Sequence, residues 1–160
     1  MKSALIAAGL SVFLAAPAHA QDTMPSLSGT WVLDVAKSDF GPAPAPVSIV
    51  HVVEHKEPNI KITSTQKTAQ GEFTNERNIT TDGKENTNKM RTMGGEQEVK
   101  STSTWKGKKL ATAFKLTVQG ASVDIDDAWE LSEDGKVLTV VRNIKSPQGE
   151  FTQKTVFNKH

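Results

Sequence analysis

The stretch Leu27-Ser28-Gly29-Thr30-Trp31-Val32-Leu33-Asp34-Val35-Ala36-Lys37-Ser38-Asp39-Phe40-Gly41, LSGTWVLDVAKSDFG, decides how the rest of the chain is read. Trp31 and Leu33 alternate with Thr30, Val32 and Asp34, the period of a strand, and Val35 to Asp39 leave room for a single helical turn. Pro42-Ala43-Pro44-Ala45-Pro46 follows. Its prolines have no N–H to donate, so this segment is expected to run as an extended connector.

Beyond the connector, turn signals recur at Glu57-Pro58-Asn59, Gln70-Gly71, Asp82-Gly83, Gly94-Gly95, Lys106-Gly107, Gln119-Gly120, Asp134-Gly135 and Pro147-Gln148-Gly149. Intervals of about 11 to 15 residues closed by short turns mark an antiparallel meander. Between the turns, apolar residues sit at even spacing: Ile49 and Val53; Ile60 and Ile62; Phe73 and Ile79; Leu110, Phe114 and Leu116; Val123, Ile125 and Trp129; Leu138, Val140 and Ile144. Each set lies on one face of its strand, with Lys, Thr and Glu largely opposite. The expected fold is all-β, an up-and-down meander of about 8–10 strands. Closure into a barrel is favoured over a sandwich because it removes exposed edges, and no long Greek-key excursion is visible.

Residues 1–20 join a basic Lys2, an apolar run from Ala4 to Ala16 and a small-x-small end at Ala18-His19-Ala20. This pattern reads as a secretory signal cleaved before Gln21, with an apolar run too short for a membrane span. Residues 21–160 then form one domain. Losing Lys2 from the 19 Lys and Arg balances the 18 Asp and Glu, so no net basic field draws nucleic acid or an anionic membrane. The absence of cysteine excludes disulfides, thiol chemistry and a lipidated cysteine anchor. The expected location is the periplasm or the extracellular space of a bacterium.

Gly29-Thr30-Trp31, followed by a connector and a run of hairpins, resembles the start of lipocalins and related calycin barrels. The segments GTWVLDVAKSDFGPAPAP, TSTQ, TTDGKEN, W-x-G-x-x-L and W-E-L-S-x-D-G-K are similar to those of small exported bacterial lipocalin-like proteins of unassigned role. The resemblance implies that Gly29 permits a tight start to the barrel and that Trp31 covers its closed end. It also implies a basic residue from a late strand packed across that tryptophan, for which Arg142 is the match. Other lipocalin signatures are not evident.

No catalytic, metal-binding or cofactor-binding motif stands out. His51 and His55 share a strand face about 13 Å apart, too far to hold one zinc. No Gly-x-Ser-x-Gly elbow is present, Met93-Gly94-Gly95 lacks the Lys-Ser/Thr of a phosphate loop, and Asp124, Asp126 and Asp127 lack a calcium-loop pattern. More informative is charge on the apolar face. Arg77 falls between Phe73 and Ile79, Asp127 between Ile125 and Trp129, and Arg142 between Val140 and Ile144. Buried charges need partners. One reading is a structural cluster, with Arg142 over Trp31 and Asp127 neutralising an arginine. The other is a ligand site, in which an arginine orients an anionic head group while the apolar part lies against Trp105, Phe114 and Trp129. The function expected first is an exported barrel binding an apolar or amphipathic small molecule. Its rivals are a filled barrel acting as a structural or interaction protein and, last, an enzyme with Asp127 or His51 as general base.

Overall fold

The computed structural model describes residues 24–92 and 95–160; residues 1–23, which include the expected signal, and the Met93-Gly94 part of one expected turn lie outside the described residues. Ten strands follow one another: β1 (Gly29–Leu33), β2 (Ser48–Lys56), β3 (Asn59–Thr68), β4 (Gly71–Thr80), β5 (Asp82–Thr92), β6 (Gly95–Lys106), β7 (Lys109–Val118), β8 (Ala121–Leu131), β9 (Val137–Ser146) and β10 (Gly149–Lys159). The helical turn allowed after β1 is a short 3₁₀ segment, Val35–Lys37, capped by the Asp34 side chain. Turn chemistry explains the hairpins. At Gln119-Gly120 both residues have positive φ, 51° and 80°, the twist that a two-residue turn between antiparallel strands requires.

The sheet order is β4-β3-β2-β1-β10-β9-β8-β7-β6-β5, and every ladder is antiparallel. Pairing of β1 with β10 brings the two halves of the meander together and leaves β4 and β5 as the facing ends of a nearly closed barrel. Side-chain amides bridge that seam. Asn88 accepts from the Asn78 N–H (2.7 Å) and donates to its carbonyl (3.0 Å), while Asn75 makes the same two bonds to Arg91 (2.7 and 3.0 Å). Each asparagine thus replaces a pair of ladder bonds and satisfies backbone groups that would otherwise stay unpaired.

One end of the barrel is plugged. Trp31 is fully buried, at 0 % exposure, among Leu27, Ile60, Ile62, Leu110, Leu138 and Phe157. Its indole N–H donates to the Leu27 carbonyl at 2.9 Å. The cation across its ring is Lys159, with Nζ 5.1 Å from the ring centroid, and not Arg142. Register explains the correction: Lys159 pairs directly with Trp31, whereas Arg142 pairs with Asp127 on β8. Gly29 owes its place to backbone conformation first, with the flexible end of Lys159 close by. Its φ is +143°, and a Cβ there would meet Lys159 Cε at 2.7 Å. At the opposite end the connector leaves β10 through the Asp39–Lys154 bridge and joins β2 at Ser48.

Trp31→Ala removes the largest side chain of the plug together with its hydrogen bond. It should cost about 3–5 kcal/mol of stability, read by urea denaturation with circular dichroism. A midpoint equal to that of the wild type would show that the plug does not hold the barrel.

Candidate functional site

Alternation along the strands carries a row of polar side chains into the barrel. Ser103, Thr112, Asp127, Arg142 and Gln153 stand side by side on β6 to β10. Ser103 and Thr112 share a hydroxyl hydrogen bond of 2.9 Å, and Gln153 donates to the Phe40 carbonyl at 3.0 Å, tying the connector to the wall. Arg142 and Asp127 form a bidentate pair, Nε to Oδ1 at 2.6 Å and Nη2 to Oδ2 at 2.7 Å. The Asp127 side chain is fully buried. Burial opposes the charge on Arg142, but the field of Asp127 and its hydrogen bonds prevail and hold the guanidinium pKa above its usual value.

Beside this pair lies an interior cavity of ≈ 240 Å³. Arg77, Arg142 and His51 contribute its charged and titratable wall; Phe114, Trp129, Ile49, Met90 and Leu116 contribute apolar surface, and Phe40, Ala43, Pro44 and Pro46 of the connector complete it. Arg77 is 9 % exposed. Among the described residues no carboxylate lies within ion-pair distance of it, and its guanidinium has no hydrogen bond to protein. Burial pushes its pKa down; the charge of Asp127 partly opposes this, and the repulsion of Arg142 adds to it. Both guanidinium groups lie over the Phe114 ring, Arg77 Cζ at 5.8 Å and Arg142 Cζ at 5.7 Å from its centroid, so its negative face attracts both cations.

His51 belongs to the same site. Its ring packs against Trp129 (centroids 5.5 Å apart) and Phe157 (4.6 Å). Burial, then the positive charges of Arg77 and Arg142, push its pKa down to about 3 against the pull of Asp127, so the imidazole is neutral at ordinary pH. The sequence carried the signal for its position: His51 stands between Ile49 and Val53, at the even spacing of an inward face.

The expected ligand wall is only partly brought together. Phe114 and Trp129 border the cavity, and Asp127 reaches it through Arg142. Trp105 does not border it. This residue lies next to the end of β6, at the plugged end of the barrel, where its indole N–H donates to Glu57 Oε1 at 2.6 Å. Glu57 also binds His55 Nε2 at 2.9 Å and the Thr81 hydroxyl. Arg142 serves the cavity wall instead of the barrel end. Among the described residues no cluster of three or more His, Cys, Asp or Glu could hold a metal ion.

No protein-family model matches the chain, and no curated protein does. Solved structures share the fold. A secretory abundant heat soluble protein of Ramazzottius varieornatus aligns with a TM-score of 0.61 at 15% identity, over 86% of this chain and 98% of its own. Zebrafish ileal bile acid-binding protein, solved with cholic acid, aligns with 0.54 at 19% identity over 83% and 98%. A variant of the fluorescent protein UnaG aligns with 0.56 at 15% identity over 84% and 96%. At these identities the similarity establishes a calycin-type barrel fold.

The two arginines should respond oppositely to loss of charge balance. Asp127→Asn leaves Arg142 without its counter-ion and should cost about 3 kcal/mol, whereas Arg77→Gln removes a cation that has no protein partner and should leave the ligand-free protein as stable or slightly more so. Thermal melts of both variants check this; an early-melting Arg77→Gln would mean that Arg77 is a structural member of the cluster.

Proposed function

We propose that this protein is an exported binding barrel for a small anionic amphiphile, whose acid group lies against Arg77 and whose apolar part extends along Phe114, Met90, Leu116 and the Pro42–Pro46 connector. The observation that carries this reading is the unpaired Arg77 in an interior cavity. Asp127 neutralises Arg142, His51 is neutral, and the wall therefore holds one uncompensated positive charge. A buried cation is costly unless a counter-ion arrives, and a carboxylate matches the planar guanidinium with two parallel hydrogen bonds.

The apolar surface beside the arginine supplies the rest of the recognition, since small-molecule sites join an apolar wall to a few placed polar groups. A volume of ≈ 240 Å³ lies just under the range of about 300–1,000 Å³ for drug-sized ligands, which favours a slender molecule. Support by likeness comes from the zebrafish neighbour, which was solved with cholic acid, an amphipathic carboxylic acid. Export is supported by the signal-like residues 1–20. A carrier or sensor role outside the cytoplasm fits export and binding together.

Calorimetric titration with decanoate and decanol distinguishes charge recognition from plain apolar binding. Wild type should bind decanoate at least tenfold more tightly than the alcohol, and Arg77→Gln should lose that preference while keeping its melting temperature. Equal affinity for acid and alcohol, or no saturable binding of either, would contradict the reading.

A further inference from the structure

We propose that Ser64 and Gln66 complete, with Arg77, a one-sided polar track from the floor of the cavity to its rim, so that the preferred ligand is an acid bearing a hydroxyl or keto group along its chain and not a plain fatty acid. This rests on the reading of Arg77 as the anion anchor. Register sets the track. Ile60, Ile62, Ser64 and Gln66 share the inward face of β3, and across the β3–β4 ladder Ile62 pairs with Arg77, Ser64 with Asn75 and Gln66 with Phe73. Ile62 packs in the cluster around Trp31, so Arg77 stands on the rung next to the plug. Ser64 lies one rung higher and Gln66 another, each step about 7 Å along the strand. Gln66 lies beside the connector, where the Val47 N–H donates to the Lys67 carbonyl at 2.8 Å. Exposure rises in the same order: Arg77 is buried, Ser64 half-buried and Gln66 exposed.

Other polar residues of the cavity wall are committed within the protein. Asn75 binds the Arg91 backbone, Arg142 binds Asp127, Gln153 binds the Phe40 carbonyl and Thr155 binds the Val140 carbonyl. Among the described residues the Ser64 hydroxyl and the Gln66 amide, like the Arg77 guanidinium, hydrogen-bond to no protein group. The facing wall differs in kind: Phe114 and Leu116 of β7, Trp129 of β8 and Val140 of β9 are apolar, and Arg142 beside them is held by Asp127. The cavity thus has one side with open hydrogen-bonding capacity and one side without it. A plain hydrocarbon chain laid along β3 would displace water from Ser64 and Gln66 without replacing its hydrogen bonds, whereas a hydroxyl or keto oxygen at their level restores them. A polar group left unpaired by the wrong ligand discriminates more strongly than a difference in apolar contact. Neither Ser64 nor Gln66 carries charge, so the second group they read is neutral and the ligand is a monoanion.

The test compares decanoate with 5-hydroxy- and 10-hydroxydecanoate by calorimetry. Wild type should bind the hydroxy acids about fivefold or more tighter than decanoate. Ser64→Ala should abolish the preference for the mid-chain hydroxyl, and Gln66→Ala the preference for the terminal one, each variant still binding decanoate as wild type does. Ser64→Thr, which keeps a hydroxyl on a strand, should retain the mid-chain preference, a rescue that a purely structural role for Ser64 would not give. Equal wild-type affinity for all three acids, or a preference that survives both alanine substitutions, would overturn the proposal and leave the Arg77 reading standing. Failure of all three acids to bind wild type would overturn both.

Discussion

One carboxylate cannot neutralise two guanidinium groups at once, and the interior of this barrel contains Arg77, Arg142 and Asp127. Bidentate geometry commits Asp127 to Arg142 at 2.6 and 2.7 Å. The rest of the site follows from that commitment. Arg77 is left charged and without an ion-pair partner, burial and then the two arginines hold His51 neutral, and the Phe114 ring lies within reach of both guanidinium groups. Replacing such a polar belt by apolar residues would be expected to give a more stable scaffold, because buried ion pairs seldom stabilise more than well-packed hydrocarbon. A filled barrel has no use for an uncompensated cation, whereas a binding barrel does.

The architecture separates this electrostatic demand from the elements that hold the fold. At one end Trp31, Leu27 and their neighbours form a dry plug under Lys159, and the network of His55, Glu57, Thr81 and Trp105 is satisfied within the protein. At the other end the connector, whose prolines offer no N–H, adds wall without requiring a ladder partner. Between β4 and β5, Asn75 and Asn88 carry the hydrogen bonds of a ladder that does not form. Near the turn the Asn86 amide of β5 also donates to the Thr80 hydroxyl of β4 at 3.1 Å, and a seam joined by such side-chain bonds is easier to open locally than a continuous ladder.

Much of the fold was legible because a meander is written in local signals. Period-two alternation and turn residues are properties of neighbouring positions, and they suffice for an all-β barrel whose ten strands lie at the upper end of the expected range. The inward direction of Arg77, Asp127 and Arg142 was legible for the same reason. Asp127 was expected to neutralise an arginine, but which one was not legible, because cross-strand register depends on where each hairpin starts. A late-strand cation over Trp31 was expected, but register assigns it to Lys159 and sets Arg142 opposite Asp127. Trp105 shares the apolar periodicity of the ligand wall yet sits at the plugged end, since alternation gives a side chain's face but not its height in the barrel. The paired amides of Asn75 and Asn88 left no sequence signal, as exposed and bridging asparagines look alike in a strand.

On the proposed reading, the charge of Arg77, which has no ion-pair partner among the described residues, receives the ligand's acid group. A crystal structure of the protein grown with decanoate tests it most directly. The carboxylate should lie within hydrogen-bond distance of the Arg77 guanidinium, with the Asp127–Arg142 pair intact and the hydrocarbon chain against Phe114 and Leu116. A carboxylate bound at the barrel exterior, with Arg77 turned to a protein acceptor, would contradict it.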